Sequence, residues 1–265
     1  VPGLSSLDDE RSARNIAETD PMTLSILLSG ATGAVGRLLA EEIRCGDRFR
    51  LAGSASSEQF FEPDAEADAI VDFSHPALLQ RVVAFAHRRR LPLVIGTTGL
   101  PDELQDEIHQ AARDIPVCQS ANFSLGVNLM IRIAGEFAAQ LDDDFDLEVS
   151  EMHHRRKLDA PSGTALALGA ALAQARGLDQ KESAVFDRSR DRIPRSRREI
   201  GYQTIRGGDV AGEHTVYFLG EGERLELTHR ATDRAIFARG ALRAARQLVG
   251  HPAGVVDFID LVAGR

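Results

Sequence analysis

The sequence contains no tryptophan, only two tyrosines and two cysteines, and no run of 18 apolar residues anywhere in its 265 positions. The last absence excludes a membrane-spanning helix. The nearest candidate, the alanine-rich run Gly163–Ala175, is too short and too small-sided. Cys45 and Cys118 stand far apart, which excludes a disulfide framework and zinc-ligand spacing. Both are expected to be buried small hydrophobes in a reducing, cytoplasmic compartment. Positive charge is also in deficit, 31 Lys and Arg against 40 Asp and Glu for a net charge of −9. Such a chain repels nucleic acid and anionic lipid in general, while a local basic site can still hold a small anion. The basic stretch Lys181–Arg198 has no aromatic platform beside it and reads as a solvated loop.

What is present is a globular composition, 43% apolar and 27% charged, in a chain long enough for one large domain or two modest ones. Residues 1–21 stand apart. They carry five acids and two bases and no sustained apolar period. Without a basic start and apolar core they are not a signal peptide, and they are expected to be a disordered extension or remnant.

From Leu24 the first half alternates strand and helix signals. Strands are predicted at Leu24–Ser29, Phe49–Gly53, Ala69–Phe73, Leu93–Ile95 and Ile115–Cys118, and helices at Ala34–Arg44, Pro76–Arg90 and Pro101–Arg113. That rhythm predicts a parallel α/β sheet. After a helix at about 126–141, the second half carries strand-like runs with no long helix between them. These are Ile200–Ile205, Thr215–Leu219 and Arg224–Thr228, following a strand at Phe145–Glu151 and a helix at Gly163–Ala175. Their alternation predicts an open mixed or antiparallel sheet. The expected organisation is a Rossmann-like dinucleotide-binding domain over 22–123 and 234–265. An α+β substrate and oligomerisation domain over 124–233 completes it.

Gly30-Ala31-Thr32-Gly33-Ala34-Val35-Gly36 follows a strand and opens a helix. The glycines permit a tight turn, close backbone approach to a pyrophosphate and helix packing on the strand. The helix N-terminus then offers free N–H groups to the anion. The competing reading is a plain tight turn. At the end of the second strand, where an acid would grip a ribose hydroxyl for NADH, stand Ser56 and Ser57. With Arg37 just after the glycine loop they tilt the choice toward NADPH. Glu58 keeps NADH open.

The densest cluster is Glu151-Met152-His153-His154-Arg155-Arg156-Lys157-Leu158-Asp159-Ala160-Pro161-Ser162-Gly163-Thr164, with five potential cations at 153–157. A solvated basic loop is the plain reading. Ser162, however, is a good N-cap, and its hydroxyl with the N–H groups of Gly163 and Thr164 forms a cradle for a carboxylate. A lysine, two imidazoles and a helix N-terminus suit a small dianion, and histidine exchanges protons near neutral pH. Adjacent His153 and His154 among cations suit a metal poorly, and none is expected. Gly96-Thr97-Thr98-Gly99 and Ser120-Ala121-Asn122-Phe123 end sheet strands at their carboxyl ends, where α/β folds bind ligands. Turn chemistry alone is the alternative for each.

Together these segments resemble the 4-hydroxy-tetrahydrodipicolinate reductase (dihydrodipicolinate reductase) family. The resemblance extends through Asp72-Phe73-Ser74, Gly126-Val127-Asn128, Arg206-Gly207-Gly208-Asp209, Gly212-Glu213-His214-Thr215 and Arg234 with Phe237, and covers about residues 22–265. It implies NAD(P)H-dependent reduction of a cyclic dicarboxylate on the diaminopimelate route to lysine, by a homotetramer joined through the second sheet. It implies His153 as the acid/base residue and Lys157 as a proton donor or carboxylate partner. His154, Ser162, Gly163, Thr164 and Thr98 would hold the substrate. Gly30, Ala31, Thr32, Gly33, Ala34, Val35, Gly96, Thr97, Thr98, Ser120, Ala121, Asn122, Phe123 and Arg234 would line the cofactor. Many members carry an acid, often followed by Arg, where this chain has Ser56 and Ser57.

Two rivals are weighed. A short-chain dehydrogenase would need Tyr-x-x-x-Lys, but four residues after Tyr202 and Tyr217 stand Arg206 and Glu221. A non-catalytic dinucleotide sensor would have no use for the His153–Lys157 cluster.

Overall fold

The computed structural model describes residues 23–189 and 193–263, so the expectation for 1–21 lies outside the described residues. Along the chain come β1 (Leu24–Ser29), α1 (Ala34–Cys45), β2 (Phe49–Ala55), β3 (Ala69–Asp72), α2 (Pro76–Arg89), β4 (Leu93–Ile95), α3 (Asp102–Ala111), β5 (Pro116–Gln119) and α4 (Leu125–Gln140). The second half holds β6 (Asp146–His153), α5 (Gly163–Ala175), α6 (Gln180–Ser183), β7 (Ala184–Val185), β8 (Ile200–Arg206), β9 (Gly212–Leu219) and β10 (Arg224–Ala231). The chain closes with α7 (Ala235–Leu248), β11 (Gly254–Val256) and α8 (Phe258–Ala263).

The first sheet has the order β11-β5-β4-β3-β1-β2, and every pairing in it is parallel. Its central strands are buried almost throughout and mostly apolar, as a sheet covered on both faces requires. On one face α1, α7 and α8 enclose Ile26, Leu28, Val71, Leu242 and Phe258. On the other, α2 and α3 enclose Leu27, Ile70, Leu79, Ile95 and Ile108. The chain returns to this sheet at its end: β11 pairs with β5, and α7 lies against α1. The terminal apolar run Val255–Val262 is therefore divided into a short strand and a short helix.

The second sheet has the order β10-β9-β6-β8-β7. β6 runs parallel to β8 but antiparallel to β9, so the sheet is mixed. Burial alternates strictly along β6 and β9. In β6, Leu147, Val149, Glu151 and His153 point to one face, where Leu147 and Val149 meet Met130, Ala134, Leu168 and Leu172 of α4 and α5. Ser124 and Ser162 cap α4 and α5, each accepting a backbone N–H three residues on.

Two sequence expectations are corrected. Cys118 is buried, and burial pushes its thiol up to about 12, but Cys45 is exposed. Position 45 falls off the stripe of Gly36, Leu39 and Ile43 that α1 buries. The Lys181–Arg198 stretch is not simply a solvated loop, although residues 190–192 lie outside the description. Arg188 bridges Glu148 and Glu199, and Arg195, 17% exposed, pairs with Asp146 and Glu148. Arg195 also donates to the Leu147 and Glu199 carbonyls. These bases neutralise acids of β6 some 40 to 49 positions earlier in the chain, a partnership that local charge counting does not see.

Candidate active site

The glycine loop sits at the carboxyl end of β1. Gly30 has φ 81°, and a Cβ there would collide with the Phe73 carbonyl after β3. A Cβ on Gly36 would strike the Gly30 carbonyl, so this glycine lets α1 approach the turn. No side chain caps α1 at Gly33, which leaves its first N–H groups to an incoming anion. Gly30, Thr32, Gly33, Ser56 and Ser57 line one cavity of about 470 Å³. These are features that fit a dinucleotide's phosphates. Ala31 and Val35 instead pack their side chains against the core. Arg37 turns back and donates to the Thr32 carbonyl at 2.8 Å.

At the ends of the neighbouring strands the polar residues divide into supports and open groups. Thr97 is buried and donates to Asp72 Oδ1 at 2.5 Å, while Ser74 donates to Asp72 Oδ2 at 2.6 Å. Thr97 therefore holds the loop, and Thr98 beside it is exposed. A Cβ on Gly96 would meet the Phe73 ring. Phe123 is buried between Phe73 and Phe258, so only its backbone faces the strand ends. Ser120 donates to the Asn122 carbonyl. Asn122 reaches across to the second half of the site, where its Nδ2 donates to Thr164 Oγ1 at 3.1 Å.

The other wall begins where β6 ends. Glu151 and His153 share the helix-covered face, 2% and 8% exposed. Glu151 Oε2 accepts from His153 Nδ1 at 2.6 Å, and Oε1 accepts the Ser162 backbone N–H at 3.1 Å. Arg206, opposite His153 on β8, donates to both oxygens at 2.7 Å. His214, opposite Glu151 on β9, meets Ser162 Oγ at 2.9 Å, and its ring lies edge-on to that of His153, 5.1 Å between centroids. Sequence reasoning placed Arg206 and His214 only within the resemblance, and it missed Glu151 as the centre of the network. The signal lay in the alternation of β6, which puts 151 and 153 on one face.

Charge within this network is set by burial and pairing. Burial works to raise the Glu151 pKa, but hydrogen bonds from Arg206 and His153 outweigh it and hold the carboxyl below its ordinary range. Burial pushes His153 down, against the opposing pull of Glu151. Burial, with His153 nearby, brings His214 down to about 4. With Nδ1 engaged by Glu151, His153 keeps Nε2 for other partners, and a Cβ on Gly212 would come within 2.9 Å of it.

The loop 154–161 is pinned to the β8–β9 turn by bonds from His154 N to the Val210 carbonyl and from Arg155 N to that of Gly208. Desolvation pushes the His154 pKa down, and the fields of Arg234, Arg156 and Lys157 push the same way. Lys157 Nζ, partly covered, pairs with the exposed Asp159 Oδ2 at 2.8 Å, and that bond lowers the Asp159 pKa. Gly163 has open space where a Cβ would stand, at the first position of α5. The loop thus brings together His153, His154, Lys157, Ser162, Gly163 and Thr164, while Arg234 stands at the start of α7. Among the described residues no group of three His, Cys, Asp or Glu side chains could hold a metal, and no helix is long and apolar enough to cross a membrane.

Comparison with known proteins matches two sequence-family models. Residues 24–123 match "Dihydrodipicolinate reductase, N-terminus", and residues 126–262 match "Dihydrodipicolinate reductase, C-terminus". The chain is 47% identical over 195 residues to the 4-hydroxy-tetrahydrodipicolinate reductase of Pseudoalteromonas translucida, covering 74% of this chain and 73% of that one. It is 41% identical to the enzyme of the same name from Ruegeria pomeroyi, covering 89% and 97%. Among solved structures, the dipicolinate-bound dihydrodipicolinate reductase of a Paenisporosarcina species shares the fold. Its TM-score is 0.73 at 22% identity, with 89% of this chain and 98% of that one covered.

Proposed function

The chain belongs to the dihydrodipicolinate reductase family of nicotinamide-dependent oxidoreductases, and from that premise we propose that it reduces 4-hydroxy-tetrahydrodipicolinate to tetrahydrodipicolinate. The observation that carries the reading is the Asn122–Thr164 hydrogen bond, which sets the strand ends of the first sheet beside the basic loop of the second. A hydride donor and a dianion bound on either side of that bond would meet there.

The division of labour follows the two sheets. The segment 22–123 with 234–265 holds the cofactor, and 124–233 holds the substrate. When bound, the reduced nicotinamide supplies a hydride. The backbone of Gly30–Val35, Gly96–Thr98 and Ser120–Phe123 would line the cofactor, the glycine loop at its phosphates, with Arg234 at the rim. In the net reaction a hydride and a proton are taken up and the 4-hydroxyl leaves as water. Ser162, Gly163 and Thr164 at the start of α5 hold one substrate carboxylate, because the uncapped N–H groups and the helix dipole favour an anion there. His154 and Thr98 complete its contacts. Lys157 gives up Asp159 for the second carboxylate and supplies the proton. His153 exchanges protons through Nε2, its ring fixed by Glu151. The pairing of Ser56 and Ser57 with the glycine loop in one cavity supports NADPH over NADH. The face of the second sheet turned away from α4 and α5, on which Ile205 is exposed opposite Met152, supports assembly as a homotetramer.

A stable dianion tests the substrate site. Dipicolinate, titrated into the protein with the reduced cofactor present, is expected to bind at a single site and to lose that binding in Lys157→Ala. Equal binding by the variant would contradict the assignment of the basic loop.

A further inference from the structure

The adenosine end of the cavity contains a cation that the sequence does not single out. Arg81, on α2, lines the same space as Gly30, Thr32, Gly33, Ser56 and Ser57. Its guanidinium carbon lies 4.3 Å from the centre of the Phe60 ring. Phe60 in turn rests on Phe61 and Phe85, at ring-centroid distances of 5.0 and 5.7 Å. This aromatic base folds the connection between β2 and β3 onto α2, and it holds the charge of Arg81 beside the Ser56–Ser57 turn by a cation–π contact.

We propose that Arg81, seated on Phe60, reads the 2′-phosphate of the cofactor's adenosine and so makes NADPH the preferred reductant. The inference rests on the nicotinamide-cofactor reading of the glycine loop. Three observations favour it. Arg81 forms no ion pair among the described residues, so its guanidinium is available to an anion. Arg37, the cation nearest the glycine loop in sequence, is already spent on the Thr32 carbonyl. No carboxylate lines the cavity, and Glu58 shows only its backbone N–H engaged, by Ser56 Oγ. A ribose with a free 2′-hydroxyl needs an acceptor there, whereas a phosphate needs donors. Arginine supplies paired N–H groups in a plane that matches phosphate oxygens. The Ser56 turn is preformed, its N–H bonded to the Gln59 carbonyl at 2.8 Å and its Oγ accepting from Glu58 and Gln59. His75 also lines the cavity, but its Nδ1 caps α2.

The test uses the full chain and two cofactor fragments, 2′,5′-ADP and 5′-ADP, titrated calorimetrically into wild type, Arg81→Gln and Phe60→Leu, with melting temperature recorded for each. The wild type is expected to bind 2′,5′-ADP at least tenfold more tightly. Arg81→Gln should lose most of that preference while 5′-ADP affinity stays within about twofold. Phe60→Leu should lose part of it, because the charge is no longer held. An unchanged preference in folded Arg81→Gln would overturn the proposal. So would a wild type that binds both fragments equally, and that result would leave the cofactor reading standing. A wild type that binds neither fragment would overturn the cofactor reading itself and this proposal with it.

Discussion

Glu151 and Arg206 form a two-pronged pair across the neighbouring strands β6 and β8, each carboxylate oxygen accepting one guanidinium N–H at 2.7 Å. Arg206 stands in register with His153 and reaches back two residues to do so. The same carboxylate receives His153 Nδ1 and the Ser162 N–H. One buried acid thus sets the imidazole and the start of the α5 anion cradle together.

That arrangement predicts two separable effects for Glu151→Gln. Removing the charge leaves Arg206 without its partner, and breaking a buried pair this way costs about 3–5 kcal/mol. It also removes the influence that raises the His153 pKa, so the acid-side limb of the kcat/KM profile should move to lower pH. Thermal melting and a pH–rate profile measure the two. A destabilised variant with an unshifted limb would show that Glu151 is structural alone.

The two proposed proton-handling residues should separate chemistry from cofactor binding. Lys157→Ala and His153→Gln should each lower kcat by about 10²–10⁴-fold, the usual range for a lost proton-transfer group. NADPH affinity, followed by nicotinamide fluorescence in a protein without tryptophan, should stay within about twofold for both. Turnover at the wild-type rate in either variant would remove that residue from the chemistry.

Stability should fall in mild acid because of His214. Its folded-state pKa is about 4, against an ordinary 6.5, since burial disfavours the imidazolium. Between those values the unfolded chain binds the extra proton, so stability rises with pH across the window and is lost as pH falls from about 6.5 toward 4. The slope for one such group is about 1.4 kcal/mol per pH unit. His153 and His229 shift in the same direction and add to it. Denaturant midpoints measured from pH 7 to 4.5 should show the slope, and His214→Gln should flatten it. An unaltered slope in that variant would assign it elsewhere.

Asn122 is expected to act through placement. Asn122→Ala removes its bond to Thr164 and the acceptor for the Ser124 N–H. Loosening the meeting of the two walls should lower kcat/KM about tenfold or more, since displacements of about an ångström carry such penalties. Thr164→Val, which keeps the shape but not the oxygen, should reproduce the loss. If only Asn122→Ala is impaired, the Ser124 contact and not the bridge is responsible.

The fold was legible because its signals are local. The apolar runs within β1, β3 and β4, the proline that opens α2 and the serines that cap α4 and α5 can each be read within a few residues. The glycine loop and the basic loop were legible for the same reason. What escaped was set by pairings between distant segments. Glu151 looks like an ordinary strand residue until β8 brings Arg206 to it. Arg195 looks solvated until it reaches Asp146 and Glu148. Arg81 looks like one more exposed helix cation until the β2–β3 connection lays Phe60 beneath it. Cys45 is expected to be buried as its residue type usually is, but beside Arg44 and Gly46 at the end of α1 it faces outward.

The reduction itself can be followed in a coupled assay. Pyruvate, aspartate semialdehyde and the upstream synthase would generate the unstable substrate in place, with nicotinamide oxidation followed by absorbance. Oxidation is expected to depend on the synthase and to run faster with NADPH than with NADH. No synthase-dependent oxidation with either cofactor, from protein shown to bind NADPH, would contradict the proposed reduction.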